Sequence, residues 1–153
     1  MVETMTRQSR NGSDNRDAAR DLFAERGLRV TQPRVALAEL LFGNGPRHVS
    51  AESLHEELVR SGAPGSLSSV YRTLNDLSCA GLLRRMPICG STAWFDTQVE
   101  PHHHFYAEDE DRVIDVPGNG VHVGNLPPPP DGYEFVGIDV LLRVRRRGPP
   151  PDA

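Results

Sequence analysis

The stretch Ser66-Leu67-Ser68-Ser69-Val70-Tyr71-Arg72-Thr73-Leu74-Asn75-Asp76-Leu77-Ser78-Cys79-Ala80-Gly81-Leu82-Leu83-Arg84-Arg85-Met86 decides the fold. Val70, Leu74 and Leu77 recur at the spacing of one helical face. Ser66 supplies an N-cap and Gly81 a left-handed stop. Residues 82–86 then read as an extended run and residues 93–97 as a second, with Pro87 and Gly90 in the turn between them, which describes a hairpin. Three more helices precede this unit. Residues 14–26 place Ala18, Leu22 and Phe23 on one side and end at Gly27. Thr31 caps the next, with Pro33 tolerated in its first turn and Val35, Leu37, Ala38, Leu41 and Phe42 as its buried stripe. Ser50 caps a third that runs to about Ser61 and buries Ala51, Leu54 and Leu58. Cys79 falls at an apolar helical position and reads as core. Helices followed by a two-stranded hairpin describe a winged helix-turn-helix, with the fourth helix in the recognition position.

Past residues 97–101, a linker, the pattern changes. Residues 104–107 and 112–116 are short strands joined by the acidic turn Glu108-Asp109-Glu110-Asp111. Residues 117–132 hold five prolines and four glycines, which leaves little room for a helix. Residues 134–145, with Phe135, Val136, Ile138, Val140, Leu141, Leu142 and Val144, read as a third strand. Three strands without a covering helix cannot bury both faces alone, so a partner subunit is expected to complete them. The expected fold class is α+β: an N-terminal winged helix-turn-helix followed by a small α/β, mostly β, dimerisation domain. The expected boundaries are a disordered tail over 1–13, the winged-helix domain over 14–97, a hinge over 98–101, a dimerisation and ligand-sensing domain over 102–147, and a flexible tail over 148–153.

The chain has 153 residues, of which 37% are apolar, enough for one compact domain or two small ones. No apolar run approaches the roughly 20 residues of a membrane helix, and the polar N-terminus does not read as a secretory signal, so a cytoplasmic location and no membrane partner are expected. Cys79 and Cys89 form no Cys-x-x-Cys pair, which excludes a structural zinc–thiolate site. The net charge of −4 argues against nucleic acid, but its distribution reverses that. Residues 1–98 carry 12 Arg against 11 Asp and Glu, net +1, and residues 99–153 carry 5 against 10, net −5. There is no lysine, so every cationic side chain can fork onto phosphate.

The first two turns of the fourth helix concentrate candidate contacts to double-stranded DNA. Ser68 and Ser69 can reach phosphates or base edges, Tyr71 a thymine methyl or a phosphate, and Arg72 a phosphate or guanine. Arg84 and Arg85 at the base of the wing, and Arg29 before Thr31, add backbone contacts.

Half of the six histidines form the triplet His102-His103-His104. In an extended segment side chains alternate, so His102 and His104 share a face and His103 points the other way. His48 follows the second helix, Asp96 ends the wing, and Asp115 lies in the strand after the triplet. Imidazole and carboxylate without thiolate suit iron, manganese or zinc, and imidazole is also a haem ligand. A site drawing His48 and Asp96 from one domain and His102 and His104 from the other would bridge the hinge, so that its occupancy sets DNA affinity.

Gly27-Leu28-Arg29-Val30-Thr31-Gln32-Pro33-Arg34, His48-Val49-Ser50-Ala51-Glu52, Ser69-Val70-Tyr71-Arg72-Thr73-Leu74 and Ala80-Gly81-Leu82 resemble the ferric uptake regulator family over residues 16–145. The resemblance implies a bacterial homodimer that binds operator DNA. It places His48, Asp96, His102, His104 and Asp115 at the family's regulatory metal site, Tyr71 and Arg72 in its recognition helix, and Arg29 at its minor-groove contact. Asp96 and Asp115 stand where many members have glutamate. Where the family usually has a Cys-x-x-Cys zinc motif, this chain reads Ala107-Glu108-Asp109-Glu110-Asp111, and the usual helix of the second domain is replaced by the Pro/Gly segment. With the His triplet, these departures resemble the iron response regulator branch, which implies haem binding at His102, His103 and His104 and a fall in operator affinity when haem binds. The Cys-Pro haem motif of some branch members is absent. The leading expectation is therefore a haem-responsive DNA-binding regulator of iron homeostasis. The alternative is a regulator sensing Fe²⁺ or Mn²⁺, with Zn²⁺ as an in vitro substitute. A small non-haem iron enzyme, using two His and a carboxylate as a facial triad, is the reading from a different class, and the absence of a second polar cluster for substrate argues against any enzyme.

Overall fold

The computed structural model describes residues 12–118 and 120–148. The chain divides into two compact units that meet in sequence between Val99 and Glu100. The tails expected over 1–13 and 148–153 lie outside the described residues, except that Gly12 and Ser13 begin a helix and Gly148 lies in a bend.

The first unit runs α1 (Gly12–Glu25), α2 (Gln32–Phe42), β1 (His48–Ser50), α3 (Ala51–Arg60), α4 (Leu67–Cys79), β2 (Arg84–Arg85) and β3 (Trp94–Asp96). Serines define two of the helix starts. Ser50 Oγ accepts from the Ser53 amide at 3.1 Å while Ser53 Oγ accepts from the Ser50 amide at 3.1 Å. Ser66 and Ser69 repeat the exchange at 3.2 and 2.9 Å. Each box satisfies two amide donors at its helix entry. Thr31 occupies the N-cap of α2 but makes no side-chain capping bond; Pro33, inside the first turn, has no N–H to satisfy. Gly81 takes a φ of +74° where α4 ends, a backbone conformation in which a Cβ would be strained.

Phe23, Leu41, Val49, Leu54, Leu58, Val70, Leu74, Leu77 and Phe95 are fully buried in one core. The expected stripes of α2, α3 and α4 are all in it. On α1 the fully buried alanine is Ala19, four residues before Phe23, and Ala18 is half-buried. Cys79 is exposed, not core. The buried face of α4 passes through Val70, Thr73, Leu74 and Leu77, and its next step of three or four residues falls on Ala80 or Gly81. Of Arg26, Arg29 and Arg34, two tie to α4 or its C-cap: Arg34 pairs with Asp76, and Arg26 donates to the Ala80 carbonyl at 2.7 Å. Arg29 remains exposed.

The wing is a three-stranded sheet, not a two-stranded hairpin. Its order is β1-β3-β2 with both pairings antiparallel. The added strand β1 is only three residues long, too short to show alternation, and its last residue already caps α3.

The second unit is a sheet of β4 (His104–Ala107), β5 (Arg112–Asp115) and β6 (Leu141–Val144), in the order β5-β4-β6. β5 pairs antiparallel with β4, and β6 pairs parallel with it. The third strand is thus shorter than the expected 134–145. A parallel partner needs a long crossover, and residues 116–140 supply it without a helix or strand among those described. The acidic turn is fastened to the chain after β6. Arg143 pairs with Glu108, Arg146 pairs with Glu110, and the Arg146 amide donates to Asp109 Oδ2 at 3.0 Å. These exposed pairs are individually weak but act at one place. In this unit Tyr133 is 73% and Val136 97% exposed, with Phe135 and Ile138 also uncovered. No helix among the described residues is long and apolar enough to cross a membrane.

Candidate metal centre and nucleic-acid interface

Each unit contributes part of the candidate ligand set. In the first, β1 and β3 place His48 directly opposite Asp96. Asp96 is 1% exposed; its Oδ1 accepts from the Gln98 amide at 2.8 Å and its Oδ2 lies 3.5 Å from His48 Nε2. On the other flank of β3 the residue opposite Asp96 is Arg84. Directly opposed residues share a face of a sheet, so Asp96 has His48 and Arg84 as its neighbours across the two pairings. Arg84, expected at the DNA backbone, is half-buried, opposite Asp96 in register, and Arg85 at the wing's base is exposed.

In the second unit, β4 and β5 place His104 opposite Asp115, and strand alternation brings His102 to the same face. The His102 and His104 rings lie 4.3 Å apart between centroids. Their Nε2 atoms are 3.2 and 3.5 Å from the same oxygen, Asp115 Oδ1. His102 Nδ1 lies 2.8 Å from the Glu100 carbonyl. A carbonyl only accepts, so Nδ1 carries the proton, and in a neutral ring Nε2 then holds a lone pair. An Nε2 lone pair beside a carboxylate oxygen is a donor set that a divalent cation takes. A backbone carbonyl holding the far nitrogen is also how metal-ligating histidines are oriented. The residues therefore fit a divalent cation, and the ligand atoms of His102, His104 and Asp115 lie within 4.8 Å of one another.

His103 is separated from its neighbours. Its carbonyl accepts from the Val116 amide at 2.9 Å, and its Nδ1 is buried with no hydrogen-bond partner among the described residues. Of the three residues expected to bind haem, His102 and His104 share a face, and the pleat sends the middle imidazole to the other.

On α4, Ser68 and Arg72 are exposed in the first two turns, as a reading helix requires. Two expectations change. Ser69 spends its hydroxyl within the capping box, donating to the Ser66 carbonyl at 2.7 Å, so it has no proton left for DNA. Tyr71 is half-buried against the core, and its hydroxyl donates to Glu52 of α3. Sequence reasoning missed Glu52 because the two residues are 19 apart and no local pattern joins them.

The sequence profile of the ferric uptake regulator family matches residues 25–123. The ferric uptake regulation protein of Pseudomonas aeruginosa is 32% identical over 123 residues, covering 79% of this chain and 92% of that protein. That of Vibrio parahaemolyticus is 36% identical over 104 residues, 67% of each chain. A solved structure of the ferric uptake regulator from Pseudomonas aeruginosa with manganese superposes with a TM-score of 0.63 at 27% identity, covering 84% of this chain and 98% of that one.

Proposed function

The chain belongs to the ferric uptake regulator family, and from that premise we propose that it is a homodimeric, non-enzymatic transcriptional regulator whose grip on operator DNA is set by a divalent cation. His102, His104 and Asp115 would hold the cation from the second unit, and His48 and Asp96 from the first. The observation that carries the reading is the pair of Nε2 atoms converging on one oxygen of Asp115. Two imidazole nitrogens and a carboxylate oxygen on one face are ligands suited to such an ion. Drawing ligands from both sides of the Val99–Glu100 junction makes the relation between the units depend on occupancy, which is the coupling a regulator needs. Nitrogen and oxygen donors without thiolate favour Fe²⁺ or Mn²⁺, with Zn²⁺ as an in vitro substitute. The exposed Tyr133, Phe135, Val136 and Ile138 supply apolar surface for a second copy of the chain. Ser68, Arg72, Arg29 and Arg85 face the DNA.

A second reading, the iron response regulator branch with haem as effector, is favoured by the absence of cysteine from the β4–β5 turn together with the His triplet. It has two imidazoles to work with, and one of them, His104, is only 5% exposed, which leaves little room for a macrocycle.

One titration separates the two. The protein is stripped of metal, and fluorescence anisotropy follows its binding to a duplex selected from a random pool. Mn²⁺ or Fe²⁺ should strengthen binding about 5–150-fold, the usual span of such couplings, while haem should leave it unchanged. Release of the duplex by haem, with a Soret band lost in His102→Ala/His104→Ala and no response to Mn²⁺, would reverse the order of the two readings.

A further inference from the structure

Tyr71 of α4 and Glu52 of α3 meet at the face assigned to DNA. The phenol donates to Glu52 Oε1 at 2.5 Å, and the ring packs, partly buried, against the core of the first unit. Glu52 lies exposed in the first turn of α3. Hydroxyl and ring are therefore both held, one by a carboxylate and the other by packing. We infer that Glu52 is a positioning residue for sequence reading, fixing Tyr71 so that it reads bases and not phosphates; this rests on α4 being the helix that reads DNA.

Donors and charge decide what Tyr71 can offer to DNA. A phenol has one proton to give, and Glu52 takes it, so Tyr71 has none for a phosphate oxygen. The hydrogen bond to Glu52, followed by burial and the neighbouring negative charge, raises the phenol's pKa above its ordinary value, so the group remains a protonated donor to that carboxylate. Left over for DNA are the apolar edge of the ring, which suits a thymine methyl, and the lone pairs of the oxygen, which accept from an exocyclic amino group. The carboxylate also repels phosphate, and it does so for every sequence alike, because the backbone charge does not vary with base. Its restraint on the ring, by contrast, favours only sequences that suit the one position the ring holds. Glu52 thus lowers indiscriminate binding and raises discrimination.

The two effects separate in substitution. With the Mn²⁺-loaded full chain, anisotropy is measured on a duplex selected from a random pool by the wild type and on a scrambled duplex of the same length. Glu52→Ala should bind the scrambled duplex more tightly, while its selected-to-scrambled affinity ratio falls about tenfold, the order of one base contact. Glu52→Gln keeps an acceptor for the phenol but not the charge. It should tighten scrambled binding as Glu52→Ala does, yet keep a ratio near wild type. An unchanged ratio in Glu52→Ala, or a loss in Glu52→Gln equal to that in Glu52→Ala, overturns the inference. Tyr71→Ala serves as the reference. If it lowers the ratio and Glu52→Ala does not, only the positioning role fails. If it leaves the ratio unchanged, Tyr71 reads no base and the inference fails; if Arg72→Ala leaves it unchanged as well, α4 does not read DNA and the underlying reading fails with it. Thermal melts followed by circular dichroism verify that each variant is folded.

Discussion

His104→Ala should weaken Mn²⁺ binding by about two orders of magnitude or more and, at low micromolar Mn²⁺, remove the metal's effect on DNA affinity. Losing a partner that merely orients a ligand already costs about 10–100-fold in metal affinity, and His104 is itself the ligand. Its ring is buried at the start of β4, opposite Asp115, with Nε2 3.5 Å from the carboxylate oxygen that His102 also faces. Removing it leaves His102 and Asp115 alone in the second unit's part of the site. His103→Ala is the matched control. It alters the adjacent residue on the same strand, but that ring lies on the opposite face, so the Mn²⁺ response should survive. Equal losses in the two variants would place the effect in the strand and not in the ligand set. Isothermal titration with Mn²⁺, paired with DNA anisotropy, reads both quantities.

Phe95→Ala should destabilise the first unit by about 3–5 kcal/mol, the range for removing a buried aromatic side chain. Phe95 is fully buried at the centre of β3, the middle strand of the wing sheet, paired to Val49 on one side and Arg85 on the other. Its ring points into the core that holds Leu74 and Leu77 of α4, while its neighbour Asp96 carries the carboxylate of the candidate site. One cavity would therefore loosen the recognition helix and the ligand together. A loss of that size is a large part of the roughly 5–15 kcal/mol that keeps a domain folded, so DNA and Mn²⁺ binding should fail together at temperatures the wild type tolerates. Urea unfolding followed by circular dichroism checks this. A midpoint shift equivalent to less than about 1 kcal/mol would mean that β3 is not part of the core, since buried aromatic truncations cost several times that.

Much of this arrangement is legible in the chain because it is written locally. A serine followed three residues later by another serine marks the starts of α3 and α4. The triplet Val70, Leu74 and Leu77 marks a face by spacing alone, and all three are fully buried. The pairing of His102 with His104 follows from the two-residue repeat of a strand, and the acidic turn bounds β4 and β5. Features made by distant partners are not legible in this way. β1 has three residues and exists because β3 gives it a partner. β6 is confined to Leu141–Val144 because the preceding apolar residues serve as crossover, a topological demand with no sequence period. Ser69 looks like a hydroxyl donor to DNA until Ser66 claims its proton, and Tyr71 like a phenol free to donate to phosphate until Glu52 is found beside it. In each case a polar group has been spent inside the protein. Only the fold reveals which are spent.

The proposed function requires that one ion draw its ligands from both units. The direct measurement is the number of tightly bound Mn²⁺ per chain, by electron paramagnetic resonance of the free ion, in the wild type, His48→Ala and His104→Ala. A single tight Mn²⁺ per chain, weakened by either substitution although one lies before the Val99–Glu100 junction and the other after it, is the predicted result. A tight Mn²⁺ that His48→Ala leaves untouched, or two ions of which each substitution removes only one, would contradict it.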